Sequence, residues 1–419
     1  MTDILSRSHA EALDRDDPLG SFPDRFVAAD KDLLYLDGNS LGRLPRSTGD
    51  RLARVVAEEW GGGLVRSWSS WIELSRRVGD LIGTEVIGAA PGEVLVADST
   101  TVNLYKLAAA ALDARPGRSV VVSSADEFPT DRYVLQGLCA ARGLTLRDAA
   151  ADLDAGVSVA GVRDALDESV ALVVLSHVAY RSGALADLPA ITAAAHEVGA
   201  LVLWDLSHSG GSVPAGLSAA GADLAVGCTY KYLNGGPGAP AYLYVRTGLQ
   251  EELRQPIWGW FGAADQFAMG ERYVPAPGID RFLVGTPPVL SLVGAEEGVR
   301  LLAEAGIDRL RAKGMAMTSY LVELADAWLA PLGFRLASPR DPARRGAHIS
   351  LEHPAAWQVC QALLDRGVVP DYRTPDRLRL GPAPLTTRFI EVHDAMATIR
   401  DLVAAGTHRD YPEEIARVT

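Results

Sequence analysis

Cysteine is scarce in this chain. Only Cys139, Cys228 and Cys360 occur in 419 residues, and no two form a CxxC pair. That spacing speaks against a disulfide framework and against a zinc site. No other His/Asp/Glu spacing calls for a metal. The opening residues, Met1-Thr2-Asp3-Ile4-Leu5-Ser6, lack a basic region followed by an apolar stretch, and no apolar run is long enough to span a bilayer. The expectation is a soluble cytoplasmic protein with no membrane contact. Positive charge is in deficit, with 40 Lys and Arg against 53 Asp and Glu and a formal net charge of −13. A nucleic-acid partner is not expected of such a surface. Internal repeats and low-complexity linkers are missing too. The length still allows a large core and one or two domains.

What is present is concentrated in ten residues, Cys228 to Pro237. They set Lys231 between Tyr230 and Tyr232, just before a Gly/Pro-rich turn. Upstream, Leu201-Val202-Leu203-Trp204-Asp205 reads as a short buried strand ending in an acid, with His208 close behind. An enzyme that binds pyridoxal phosphate as a lysine imine needs this pair. The lysine supplies the amine, and the acid keeps the pyridine nitrogen protonated so that the ring draws electrons. Lysines beside glycine turns are commonly just solvated, so the reading rests on conjunction. Asp98-Ser99-Thr100-Thr101-Val102-Asn103 follows the apolar run Val94–Val96 and precedes a helical pattern at Leu104, Leu107, Ala108, Ala111 and Leu112. Free N–H groups and the helix dipole at such a turn suit a phosphate, with Thr100 and Thr101 as its hydroxyls. The same residues also suit an ordinary helix cap.

Apolar, β-branched runs at Val94–Val96, Ser119–Val122, Leu172–Leu175, Leu201–Trp204, Leu224–Val226 and Ala241–Val245 alternate with helical stretches such as Leu188–Val198. This pattern predicts an α/β fold with a mostly parallel sheet covered on both faces. Ligands of such sheets sit at the carboxyl ends of the strands, where Thr100, Phe128, Ser176 and Asp205 fall. Beyond Pro288 the pattern changes to helices over Leu290–Ala305 and Ile307–Leu329, a short β-type segment near His348–Leu351, a helix over Ala355–Arg366, and Leu378–Leu380. A smaller α+β domain is expected there. The division is a large domain over 46–290, with 1–45 and 291–419 forming an N-terminal arm and the small domain.

Several segments together resemble the kynureninases, hydrolases of pyridoxal phosphate fold type I in the aspartate aminotransferase superfamily. They are Tyr35 to Gly42, Asp98 to Asn103, Phe128-Pro129-Thr130-Asp131, Trp204 to Ser209, Gly227 to Gly238, Gly285-Thr286-Pro287-Pro288, and Arg379 ahead of Pro384-Leu385. They run in family order over nearly the whole chain. The resemblance implies cleavage of the Cβ–Cγ bond of kynurenine to anthranilate and alanine, with tryptophan catabolism as the setting. It implies catalytic roles for Lys231, Asp205 and Tyr230. Phe128 would stack on the pyridine ring, although the residue taken alone suits a core position. Asp131 and Ser176 would lie near the ring, with His208 a ring or phosphate neighbour. Tyr230 would bond the phosphate and relay protons. Trp260 and Thr286 would reach the phosphate region from a partner subunit, so a homodimer with shared active sites is expected. Arg379 would grip the carboxylate of an amino-acid substrate. Of Arg377 and Arg379, one is expected to be solvated.

The chain departs from the family beside the substrate. Val178-Ala179-Tyr180 stands where bacterial kynureninases usually read V-N-Y, Ala263 where a histidine is frequent, and Thr386 where a tyrosine is usual. A changed substrate is one reading of these losses and neutral drift is another. A lyase of the same fold that eliminates a β-substituent, such as sulfur from a cysteine conjugate in secondary metabolism, is the alternative activity. Gly285-Thr286 matches the bacterial segment, whereas relatives favouring 3-hydroxykynurenine tend to carry Ser-Asn. A preference for the unhydroxylated ring is therefore expected.

Overall fold

The computed structural model describes residues 3–28, 30 and 32–414. The outermost parts of the expected arm and small domain, Met1–Thr2 and 415–419, lie outside the described residues. Seven strands form the main sheet: β1 (Val94–Val96), β2 (Val120–Ser124), β3 (Thr145–Ala149), β4 (Val170–Ser176), β5 (Leu201–Asp205), β6 (Leu224–Gly227) and β7 (Tyr242–Val245). Their order is β1-β7-β6-β5-β4-β2-β3. Neighbours from β6 through β3 run parallel, and β7 is antiparallel to both β6 and β1. Strand β3 escapes sequence reading because it is an edge strand with a largely solvated polar pattern, Thr-Leu-Arg-Asp-Ala.

Strand alternation builds two cores from one sheet. Val94, Val122, Val173, Val202, Trp204 and Tyr242 bury one face. Leu95, Val121, Leu172, Leu203, Val226 and Leu243 bury the other. On the second face lie α2 (Thr100–Asp113) and α3 (Pro129–Arg142), counted after α1 (Arg7–Arg15). The first face packs α4 (Leu188–Glu197) and α5 (Val289–Ala305), and also takes in Leu19 and Phe26 from the N-terminal segment. At Gly306, φ +80°, the chain turns between α5 and α6 (Ile307–Leu324), a backbone angle that favours glycine.

A third core joins Ala10 and Leu36 to residues between Met317 and Val403. It lies under a four-stranded antiparallel sheet made of β8 (Arg335–Leu336), β9 (Ile349–Glu352), β10 (Asp371–Arg373) and β11 (Arg377–Leu380), in the order β8-β9-β11-β10. It is completed by α7 (Ala356–Leu364) and α8 (Phe389–Ala404). The N-terminal segment is tied to this unit. Leu34 and Tyr35 pair in parallel with Val368 and Val369. The Asp14 carboxylate accepts from the first free N–H groups of α8, Phe389 at 2.7 Å and Ile390 at 3.0 Å.

The same segment then crosses to the main sheet. The Gly42 N–H donates to the Tyr230 carbonyl at 2.8 Å. A Cβ at Gly42 would overlap the Lys231 carbonyl and the Asn234 side chain. Gly42→Ala is therefore expected to destabilise the fold by about 1–3 kcal/mol, the usual cost of overpacking a closed contact. Denaturant unfolding of the variant beside wild type checks this.

Candidate active site

The carboxyl ends of the strands collect the ionisable residues. Asp205 is the last residue of β5 and stands in register with Ser176, the last of β4. Phe128 directly precedes α3, after the turn that follows β2. Ser99 caps α2, its hydroxyl accepting from the Val102 N–H at 3.3 Å, so Thr100 and Thr101 open that helix. Lys231 lies in the turn after β6, closed by the Asn234 N–H on the Lys231 carbonyl at 3.0 Å and the Gly235 N–H on the Thr229 carbonyl at 2.9 Å. Asn234 has φ +56°, a conformation asparagine tolerates better than most side chains. These elements enclose a cavity of about 460 Å³. Thr100, Thr101, Phe128, Asp131, Asp205, His208, Tyr230 and Lys231 all line it, together with Asp98, Ser99, Thr130 and Ser207.

Burial governs the electrostatics of this cavity. Lys231 is 9% exposed, so it is not a solvated surface lysine. Its Nζ lies 3.2 Å from His208 Nε2. Burial, with Lys231 and Arg379 nearby, holds His208 well below the ordinary histidine range. The imidazole is therefore neutral near pH 7, and Nε2 accepts from the lysine. Burial also pushes Asp131 well above the carboxylate range, with Asp205 and Glu127 adding to the rise. Neither Asp131 oxygen receives a hydrogen bond among the described residues. Burial thus weakens Asp131 as an acid beside Asp205, whose Oδ1 accepts from the Ser207 N–H at 2.7 Å. Burial raises the Tyr230 hydroxyl above its usual range, keeping it a donor. Phe128 is 37% exposed rather than a core residue, with its ring centroid 5.8 Å from Lys231 Nζ.

The donor set fits a phosphorylated pyridine aldehyde. A primary amine, a strand-end carboxylate, an aromatic face and a hydroxyl-rich helix N-terminus meet in one cavity.

Four of the singled-out residues stand elsewhere. Ser176 does not line the cavity; its hydroxyl and N–H both donate to Glu127 Oε2, at 2.5 and 3.1 Å. Trp260 is 42% exposed on the surface. Thr286 borders a separate apolar recess with Trp60, Trp68, Trp71 and Leu290. Arg379 is fully buried on β11, where it pairs with Asp371 at 2.6 Å and donates to the Tyr180 carbonyl at 2.7 Å and to Ser40 Oγ at 2.9 Å. The Asn39 amide, turned to present its oxygen, accepts from Arg379 Nε at 2.9 Å. The expectation that Arg377 or Arg379 is solvated is corrected. Arg377 is also buried, paired with Glu352 at 2.5 Å and Asp154 at 3.0 Å. The two arginines share one face of β11, and Leu378 and Leu380 take the other into the third core.

Sequence reading missed Glu127, His348 and Lys106. His348 lies 5.6 Å, ring to ring, from His208, and burial together with Arg379 and Lys231 holds it well below its usual range. Lys106 Nζ is fully buried on Asp98 Oδ2 at 2.6 Å and the Phe282 carbonyl at 2.8 Å. A lysine inside the apolar run Leu104–Leu112 was the one available signal.

Comparison with known proteins gives a consistent picture. Residues 310–399 match the family profile described as the kynureninase C-terminal domain. The chain is 46% identical to a kynureninase of Burkholderia pseudomallei strain K96243 over 410 residues, covering 96% of each protein. It is 44% identical to a kynureninase of Pseudomonas fluorescens, again over 96% of each. Among solved structures it resembles a cysteine desulfurase from Thermococcus onnurineus NA1, with a TM-score of 0.78, 18% identity, and coverage of 94% of this chain and 98% of that one. It also resembles the cystine C–S lyase C-DES in complex with cysteine persulfide, with a TM-score of 0.79, 19% identity and coverage of 88% and 98%. At such identities the likeness shows the fold, a pyridoxal phosphate fold of type I.

Only one lysine Nζ borders the cavity among its lining residues, and this generates a direct test. Borohydride reduction of the protein loaded with pyridoxal phosphate, followed by peptide mapping, is expected to place the label on Lys231. Label on Lys106 or any other lysine would refute the assignment.

Proposed function

The chain belongs to the kynureninase family, and from that premise we propose that it hydrolyses the Cβ–Cγ bond of L-kynurenine, releasing anthranilate and L-alanine. It is a pyridoxal phosphate-dependent hydrolase acting on a small amino acid. The observation that carries the reading is the single cavity in which Lys231, Asp205, Phe128 and the turn at Ser99–Thr101 converge. The alternative, elimination of a β-substituent, is not favoured. The C–S lyase and desulfurase share the fold at 18–19% identity, whereas the kynureninases match nearly end to end.

When bound, pyridoxal phosphate supplies an electron-accepting pyridinium through which bonds next to the substrate's amino carbon can be broken. The chain's own residues do the rest. Lys231 Nζ is the amine that would hold the cofactor through its aldehyde, and the same amine would serve as the base for the α-proton. Neutral His208 accepts from that amine and orients it. Asp205 would hold the proton on the pyridine nitrogen, with Asp131, whose acidity burial weakens, beside it. Thr100, Thr101 and the free N–H groups of α2 would hold the phosphate, with the Tyr230 hydroxyl as a further donor. Phe128 would cover the ring. Ser176, held by Glu127, flanks Asp205 at the strand ends. Arg379, oriented by Asp371, Asn39 and Ser40 outside the cavity lining, would reach a substrate carboxylate only by giving up one of these contacts.

The protein would act as a homodimer in the cytoplasm. Trp60, Leu64, Val65, Trp258, Trp260, Phe267 and Met269 are exposed, a large apolar load for a free surface. Thr286 and Trp260, absent from the cavity of their own chain, would serve a neighbour's. An active dimer at micromolar concentration is the expected sedimentation result, and an active monomer would contradict the shared site.

L-Kynurenine turnover is expected, read as anthranilate fluorescence. 3-Hydroxykynurenine should be disfavoured by about one to two powers of ten in kcat/KM, because no partner for the added hydroxyl is expected at Gly285-Thr286. Absence of anthranilate, while the cofactor's absorption still responds to other amino acids, would rule out kynurenine as substrate.

A further inference from the structure

Glu127 has no place in the chemistry above, yet it is buried against the ring side of the site. It lies in the turn between β2 and α3, directly before Phe128. A single oxygen, Oε2, accepts both the Ser176 N–H at 3.1 Å and the Ser176 hydroxyl at 2.5 Å. This clamps the loop that carries Phe128 to the end of β4, the strand whose last residue stands in register with Asp205. On the far side of the clamp is a void of about 20 Å³ lined by Glu127, Ser176 and Ala179. Position 179 carries only a methyl group, so no side chain there can share the load.

We propose that Glu127 is a positioning residue for the cofactor ring, locking Phe128 and Ser176 into one frame and contributing a negative charge beside Asp205 when it ionises. The proposal rests on the reading that this cavity holds pyridoxal phosphate, and not on the identity of the substrate.

The acidic groups around Glu127 come from three elements. Asp126 comes from its own loop, paired with Arg181 at 2.9 Å. Asp131 faces it from α3 and Asp205 from β5. Lys231 lies beyond Asp131. Burial pushes Glu127 up to about 7, against the pull of the two Ser176 hydrogen bonds. Its charge therefore appears as the pH rises through neutrality. A negative charge near the ring favours the protonated form of the lysine–cofactor linkage, so the midpoint of the visible absorption band should lie higher with Glu127 than without it.

Two variants test this on the holoenzyme without any substrate. Glu127→Gln keeps an oxygen for Ser176 and removes the charge. The pH midpoint of its visible band is expected to fall by about 0.5–1 unit, with cofactor affinity within about threefold of wild type. Glu127→Ala removes the clamp and should weaken pyridoxal phosphate binding about tenfold, read by fluorescence titration of the apoprotein. A merely structural residue would not move the midpoint in the Gln variant. A wild-type midpoint in Glu127→Gln overturns the proposal, and so does wild-type affinity in a folded Glu127→Ala. If the Ala variant does not fold, the Gln midpoint alone decides. Because neither readout uses kynurenine, a failure here is distinct from a failure to release anthranilate.

Discussion

Desolvation at the carboxyl ends of the parallel strands is the constraint on which the site depends. Lys231, His208, Asp205, Asp131 and Glu127 are all nine-tenths buried or more, within one rim. Water is too scarce there to solvate five ionisable groups in their ordinary charge states. Each must find a partner or give up its charge. His208 stays neutral and becomes an acceptor for the lysine. Asp131 is pushed toward its protonated form by burial and by the neighbouring Asp205. Glu127 is held at the edge of ionisation by the Ser176 hydrogen bonds. The site's division into donors, acceptors and one reactive amine follows from burial rather than from the intrinsic acidity of any residue.

The same principle shapes the surroundings of Arg379. A buried guanidinium cannot stand unpaired. Arg379 is accordingly matched by Asp371 and surrounded by Asn39, Ser40 and the Tyr180 carbonyl. These contacts fix the direction of the fork. The N-terminal segment is central to this. Within a few residues it orients Arg379 on the small sheet through Asn39 and Ser40, and closes on the lysine turn of the large sheet through Gly42. Arg379 and the turn that carries Lys231 are therefore bridged by a segment that belongs to neither of these sheets.

The departures at Ala179, Ala263 and Thr386 fall outside the set of side chains lining the cavity. Ala179 borders the small void behind Glu127 and Ser176, so the lost polar group there concerns the support of the ring rather than the reacting atoms. Thr386 is buried in the small-domain turn after Leu385, with its hydroxyl lacking a hydrogen-bond partner among the described residues. Ala263 forms an isolated bridge with Pro275 in the surface loop that carries Trp260.

The sequence by itself determined the fold class, and it singled out Lys231, Asp205 and the turn at Ser99–Thr101, which the structure brings to one cavity. Each is written locally: a continuous apolar run must be a doubly buried strand, and a hydroxyl-rich turn before an amphipathic pattern must open a helix. The strand Thr145–Ala149 was not legible, because an edge strand in partial contact with water loses the apolar signature. The reversal of Tyr242–Val245 was hidden for a different reason, since direction depends on connections and not on side chains. Tertiary structure alone decided what burial does. Ser176 turns to Glu127, Arg377 is buried along with Arg379, and Asp131 is pushed up from the carboxylate range, because those outcomes depend on neighbours far away in sequence. Glu127 and Ser176 are 49 residues apart, and Arg379 and Ser40 are 339 apart. A linear reading carries residue types and local periodicity, but desolvation is a property of the space those residues come to share.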